Sequence, residues 1–150
     1  MESNANTSEA MQALQRFIGA WELTVDLPGS PVGRATFEWA LGERYLLQRT
    51  EIPHSPAPDS LIVVAYDEAA GRYTQHYFDS RGVVRNYAMT LDGDDWTLLR
   101  HEPDFSPLDF RQRFVGAFAA GGGSIEGQWQ TGDGADGWKK DFDLRYARIG

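Results

Sequence analysis

The stretch Gly19-Ala20-Trp21-Glu22-Leu23-Thr24-Val25 ends a short helical segment and opens a long series of strands. In front of it, Ser8 is a good helix N-cap and Gly19 is a good helix stop. From Trp21 onward, apolar residues recur at every second position, which is the period of a half-buried strand. Between the cap and the stop, the apolar residues instead follow helical spacing: Met11, Leu14, Phe17 and Ile18.

About ten such strands follow one another, separated by turns rich in glycine, proline and aspartate. The clearest turn is Asp92-Gly93-Asp94, a typical hairpin signal. No alternation of strands with helices appears, which argues against a doubly wound sheet. A meander of this length has to hide its edge strands. We therefore predict an all-β fold, a single closed up-and-down antiparallel β-barrel of about ten strands with a short N-terminal helix.

The bulk properties indicate one globular domain without a basic surface. The chain has 150 residues, no cysteine and a formal net charge of −8. Residues 1–7 are expected to form a disordered tail, and residues 8–150 the barrel domain. Since disulfides and thiolate metal sites are excluded, a cytoplasmic location is expected. The negative charge argues against nucleic acid and anionic membranes as partners. It does not argue against a homodimer.

A short helix, the Gly19-Ala20-Trp21 motif and a late arginine together resemble the calycin superfamily, which includes the lipocalins and the fatty-acid-binding proteins. Over residues 14–149 the chain is similar to a bacterial family of lipocalin-like domains of unknown function. The resemblance implies a barrel with an interior ligand cavity, whose closed end is sealed by Trp21 against Arg145 or Arg148. Its further carriers are Phe37-Glu38-Trp39, Tyr66-Asp67-Glu68, residues 76–83 and Asp141-Phe142-Asp143-Leu144.

Nitrobindin-type haem barrels begin with a similar glycine–tryptophan motif, but two departures argue against haem in this chain. Glu22, Leu23 and Thr24 follow the tryptophan, where those proteins continue with glycines. Their haem-ligating histidine lies near the C-terminus, whereas no histidine follows His101 here. We therefore expect no haem and no other cofactor.

The densest polar and aromatic stretch covers residues 75–87 and holds two strands joined by a turn at Asp79-Ser80-Arg81-Gly82. On each strand, one set of alternating side chains faces the barrel interior and the other faces water. The pattern does not decide which set is which, because both are mixed in polarity. An inward His76 would act as a general acid or base, with Tyr77 and Arg85 binding or polarising a carbonyl or anionic group.

The candidate ligand-binding residues are aromatic, amide, histidine and arginine side chains of the predicted strands. No two of the three histidines have a spacing that brings them to one face, so no metal site is expected. The sequence also lacks a P-loop, a dinucleotide fingerprint and a catalytic triad signature. The candidates are Trp39, Gln48, Gln75, His76, Tyr77, Arg85, Asn86, Tyr87, His101, Gln112, Phe114 and Trp129.

Three functions remain open at this stage. The leading hypothesis is a small-molecule-binding barrel for an apolar or aromatic ligand with a polar head group. The second is an enzyme on the same scaffold, a cyclase, isomerase or hydro-lyase with His76 as its acid or base. The third is a structural or oligomer-forming domain, whose barrel is filled by its own large aromatic side chains.

Overall fold

The computed structural model describes residues 8–53, 57–102, 104, 110–132 and 137–150, so the predicted tail at residues 1–7 lies outside the described part. The chain begins with one turn of α-helix, α1 (Glu9–Gln12), and continues as a 3-10 helix (Ala13–Phe17). The Ser8 Oγ accepts a hydrogen bond from the Met11 amide at 3.2 Å, as expected of an N-cap. The strands are β1 (Gly19–Val25), β2 (Val32–Ala40), β3 (Tyr45–Glu51), β4 (Ser60–Asp67), β5 (Arg72–Asp79), β6 (Val84–Asp92), β7 (Asp95–Arg100), β8 (Arg111–Phe118), β9 (Ser124–Gly132) and β10 (Trp138–Arg148).

The strands close into a single up-and-down antiparallel barrel, which confirms the predicted fold. Each strand pairs with its neighbours in sequence, and β1 pairs with β10 to complete the ring. Among the described residues, no helix is long and apolar enough to cross a membrane.

The helical segment covers one end of the barrel and fills it with aromatic side chains. Phe17 and Trp21 have no exposed surface, and the Trp21 Nε1–H donates to the Phe17 carbonyl at 2.8 Å. The Phe17 ring in turn packs at centroid distances of 4.9–5.3 Å against Phe37, Trp96 and Phe118. This end of the barrel is therefore a packed core.

Arg148 completes the closed end. Its guanidinium carbon lies 4.1 Å from the centroid of the Trp21 ring, a typical cation–π distance. Its Nη1 donates to the Ile18 carbonyl at 2.8 Å, and its Nη2 donates to the Arg16 carbonyl. Arg148 thus binds the carbonyl groups that the end of the helical segment leaves without a helical partner.

The predicted assignment of Arg145 to barrel closure is corrected by the structure. Arg145 lies between the inward-facing Leu144 and Tyr146 on β10, so its side chain points away from the interior. Its Nε lies 3.7 Å from a carboxylate oxygen of Glu126 on the neighbouring strand.

The opposite end of the barrel is open. Arg16, at the end of the helical segment, donates to the Gly93 carbonyl, which places the β6–β7 turn at the closed end. Because neighbouring strands run in opposite directions, the β1–β2, β3–β4, β5–β6, β7–β8 and β9–β10 connections lie at the other end.

A pair of inward glycines makes room for an aromatic ring near the barrel centre. Gly116 and Gly127 are paired across β8 and β9. A Cβ on Gly127 would lie 2.3 Å from the Phe114 ring, and one on Gly116 would lie 2.7 Å from it. The missing side chains therefore let Phe114 pack against the wall of the barrel rather than across its interior.

Candidate functional site

A cavity of about 1060 Å³ occupies the open end of the barrel, and we call it the mouth cavity. Its wall includes the aromatic side chains of Tyr77, Tyr87, Phe110, Trp129 and Phe142. Within the described ranges, the charged side chains that line it are three cations and one carboxylate: Arg81, Arg85, Lys139 and Asp141.

A smaller chamber of about 170 Å³ continues from the mouth cavity toward the barrel centre, and we call it the inner chamber. The two spaces share Tyr77, Trp129 and Phe142 in their walls. Apolar cavities of roughly 150 Å³ are large enough to bind benzene. The interior is thus not filled by the protein's own side chains, which argues against the purely structural hypothesis.

The inner chamber contains buried polar groups. The Gln48 Nε2 donates to the Thr50 hydroxyl at 3.1 Å and to the Tyr146 hydroxyl at 3.3 Å. Burial raises the pKa of Tyr146 to about 12, although the hydrogen bond from Gln48 acts in the opposite direction. Gln75 also lines the chamber and is 2% exposed. The Trp96 Nε1–H is buried and has no partner among the residues that the structure describes, so the chamber wall retains unused hydrogen-bonding capacity.

Arg85 and Tyr87 bring polar groups to the inner side of the mouth cavity. Arg85 lies directly opposite Tyr77 across β5 and β6. Its Nε–H is buried and finds no hydrogen-bond partner in the part of the chain that the structure describes. The Tyr87 hydroxyl donates to the Gln112 Oε1 at 3.2 Å. Burial raises the pKa of Tyr87, and the Arg85 cation partly opposes this rise. The Tyr87 hydroxyl therefore remains a neutral donor at physiological pH.

Asp79 organises the turn between β5 and β6. Its carboxylate accepts hydrogen bonds from the Tyr77 hydroxyl at 2.8 Å and from the Arg81 Nη2 at 2.6 Å, as well as from the backbone amides of Arg81 and Val83. Burial alone would raise the pKa of Asp79, but these hydrogen bonds lower it to about 2. Burial also raises the pKa of Tyr77, and the bond to Asp79 adds to this rise. Gly82 follows with a φ of +86°, which confirms the predicted turn.

Arg100 and Asp104 form a buried ion pair beside the mouth that the sequence analysis missed. Each side chain is only 3% exposed, and two hydrogen bonds of 2.9 and 3.0 Å join the guanidinium to the carboxylate. The Asp104 carboxylate also accepts a hydrogen bond from the backbone amide of Asn86 at 3.0 Å. Pairing between β6 and β7 stops at Ala88 and Leu99, so this carboxylate replaces a strand partner at the rim of the barrel.

Comparison with known proteins supports the barrel fold but indicates no particular function. The chain matches no protein-family model and no curated protein sequence. Among solved structures, it is similar to the crystal structure of Rv2717c from M. tuberculosis, with a TM-score of 0.61 and 12% sequence identity. The superposition covers 96% of this chain and 99% of that one. The closed barrel is thus consistent with the resemblance to calycins.

The structure brings most of the predicted ligand-binding residues together. Trp39 is an exception, because it lies toward the closed end, where its Nε1–H donates to the Gln15 side chain at 3.3 Å. The predicted residues that line the mouth cavity or the inner chamber are Gln48, Gln75, Tyr77, Arg85, Tyr87, Gln112, Phe114 and Trp129.

Two histidines and an asparagine are placed outside these cavities. Since Gln75 is buried in the barrel, its neighbour His76 points to the outer surface, where its Nδ1 lies 2.9 Å from the Asn86 Oδ1. His101 is exposed, with its Nε2 3.7 Å from a Glu102 oxygen. This corrects the expectation that His76, Asn86 and His101 face a bound molecule.

A metal site finds no support in the part of the chain that the structure describes. No group of three or more histidine, aspartate or glutamate side chains there is arranged to hold a metal ion. The third histidine, His54, lies outside the described residues.

We expect the hydrogen bonds to Asp79 to make the free energy of unfolding depend on pH in the acid range. The pKa of Asp79 is about 2 in the folded protein, below its ordinary value of 3.8. Its contribution is therefore complete above pH 3.8 and is lost as the pH falls toward 2, and it amounts to about 1–2 kcal/mol after allowance for the exposed Arg81. Asp79→Asn should remove this part of the pH dependence of urea unfolding. The control Asp92→Asn, at an exposed position, should retain it; equal profiles for the two variants would contradict the assignment.

Proposed function

We propose that this protein binds a small apolar or aromatic molecule that carries a polar head group. The observation that carries the proposal is a mouth cavity with an aromatic wall that continues into an inner chamber. Ligand sites of small proteins are typically concave and mostly apolar, with a few polar groups that orient the ligand. The barrel offers both components in one continuous space.

The division of the space supports an amphipathic ligand. The inner chamber is walled mainly by apolar residues such as Leu98, Phe114 and Leu144, so it favours the apolar body of a ligand by burial from water. The mouth cavity contains the charged side chains together with Tyr77 and Tyr87, so it suits the head group. Trp129 lines both spaces, and its ring centroid lies 5.6 Å from that of Tyr87 in the mouth wall.

The enzyme hypothesis depended on His76 as its general acid or base. His76 points to the outer surface and is hydrogen-bonded to Asn86, so it has no access to a molecule held in the barrel. We therefore favour binding over catalysis.

Blocking the mouth should abolish binding of a neutral apolar probe. Thr131 is half-buried on β9 and lines the mouth cavity, so Thr131→Trp would fill space that a ligand must occupy or cross. We expect wild-type protein to enhance and blue-shift the fluorescence of N-phenyl-1-naphthylamine. The variant should bind this probe at least roughly tenfold more weakly.

The matched control is Thr90→Trp, which adds the same side chain at an exposed position on the outer face of β6. It should bind the probe like wild type. Absence of probe binding by the wild-type protein, or equal binding by the two variants, would contradict the proposed function.

A further inference from the structure

Arg85 places a cation in the wall of the mouth cavity with one donor left unused. Its Nε–H is buried and has no hydrogen-bond partner among the described residues. An arginine stays charged at all physiological pH values, so it cannot relieve this cost by losing a proton. A buried donor without an acceptor is unfavourable, and more so on a charged group.

Polar side chains around Arg85 are already engaged. The Asp79 carboxylate receives the Tyr77 hydroxyl and the Arg81 guanidinium, and the Gln112 Oε1 receives the Tyr87 hydroxyl. The Arg85 guanidinium also lies within hydrogen-bonding reach of the Tyr87 hydroxyl, which opposes the rise in the pKa of Tyr87. Since none of the described residues supplies an acceptor to the Arg85 Nε–H, this donor is available to a molecule in the mouth cavity.

We propose that the head group of the bound molecule is a carboxylate held by Arg85. This inference rests on the proposed function and names the ligand class, a compact aromatic or aliphatic monocarboxylic acid. A guanidinium binds a carboxylate through two parallel hydrogen bonds, and the Nε–H supplies one of them. Tyr77, directly opposite Arg85 on β5, and Tyr87, two positions after it on β6, line the cavity beside Arg85.

The other charges at the mouth are compatible with this assignment. Lys139 and Asp141 both line the cavity from β10 and are exposed, so their charges oppose one another in water. Arg81 is held by Asp79 at 2.6 Å and is 53% exposed. Arg85 is therefore the cation whose unused donor is shielded from water, which is where an ion contact is strongest.

The test compares two ligands of nearly the same shape, 2-naphthoate and its neutral amide, 2-naphthamide. Each is titrated against wild-type protein carrying N-phenyl-1-naphthylamine, and the displacement gives its affinity. We expect 2-naphthoate to bind at least roughly tenfold more tightly than 2-naphthamide, since a hydrogen bond between charged groups is worth about that factor or more.

Arg85→Gln should abolish this preference, which is taken within the variant as the ratio of its affinities for 2-naphthoate and 2-naphthamide. The far-UV circular dichroism spectrum of the variant shows whether it is folded. Arg85→Lys, which keeps the charge without the planar fork, should retain a reduced preference. The control Arg49→Gln removes the same charge from an exposed position on β3 and should keep the full preference.

The outcomes separate the two proposals. If the neutral probe binds but 2-naphthoate shows no advantage, or if Arg85→Gln keeps the advantage, the carboxylate assignment is overturned and the proposed function stands. If the neutral probe does not bind to wild type, both are overturned.

Discussion

Replacing Trp21 by alanine is expected to lower the free energy of unfolding by about 3–5 kcal/mol. Trp21 has no exposed surface and packs edge-on against Phe37, Phe118 and Tyr146. The substitution would leave a cavity at the closed end. It would also leave the Phe17 carbonyl without the indole donor and remove the surface on which Arg148 lies.

Urea unfolding of Trp21→Ala and Trp138→Ala measures this effect against a matched substitution. Trp138 is half-buried on β10, where it packs beneath Arg113 on the outer face, so its loss should cost about 1 kcal/mol. Trp21→Phe provides a milder variant if the alanine protein does not fold. Equal losses at positions 21 and 138 would show that the closed end is not a centre of stability.

Replacing Asp104 by asparagine is expected to cost about 3–5 kcal/mol, because it removes the charge that balances a buried guanidinium. Arg100 and Asp104 are each 3% exposed, so water cannot take over the role of the lost carboxylate. The substitution also weakens the hydrogen bond from the backbone amide of Asn86. This residue lies on β6 beyond the part of the strand that pairs with β7. We expect a reduced midpoint in urea and faster amide exchange at Asn86.

The surface pair between Arg16 and Asp94 is the natural comparison. Its atoms lie 2.8 Å apart, but Asp94 is 64% exposed. Asp94→Asn should therefore cost less than about 1 kcal/mol. Replacing both Arg100 and Asp104 by apolar residues should restore much of the stability that Asp104→Asn loses. Equal costs for Asp94→Asn and Asp104→Asn would contradict the importance of burial.

Strand number and closure were predictable because local signals determine them. Period-two alternation identifies each strand, and turn residues such as Gly93, with a φ of +62°, identify the hairpins. Closure then follows from the need to protect the outer strands of a long meander.

The orientation of β5 was not predictable, because both of its faces mix polar and apolar residues. Gln75 is buried at 2% exposure, whereas Phe78 is 40% exposed, the reverse of what polarity alone suggests. Register with β4 and β6 decides this orientation, and register depends on closure of the whole ring. For this reason, the prediction that His76 faces the barrel interior was wrong.

The inward orientation of Arg100, by contrast, is indicated by a pattern in the sequence. Trp96, Leu98 and Arg100 are spaced two apart on β7, so continuation of the alternation predicts that Arg100 faces inward. An arginine at such a position needs a nearby carboxylate, and Asp104 is close in sequence. The volume of the cavities depends on side-chain packing and has no comparable signal.

The pairing of β1 with β10 also has consequences for how the barrel is made. Contacts between segments so distant in sequence form slowly, and β-rich domains rich in them fold on timescales of about milliseconds to seconds. Until β10 has been synthesised, β1 and β9 each present a row of unpaired amide and carbonyl groups. The nascent chain is therefore most exposed to association with other chains just before its final strand emerges, and Trp21 can be sealed by Arg148 only after that moment.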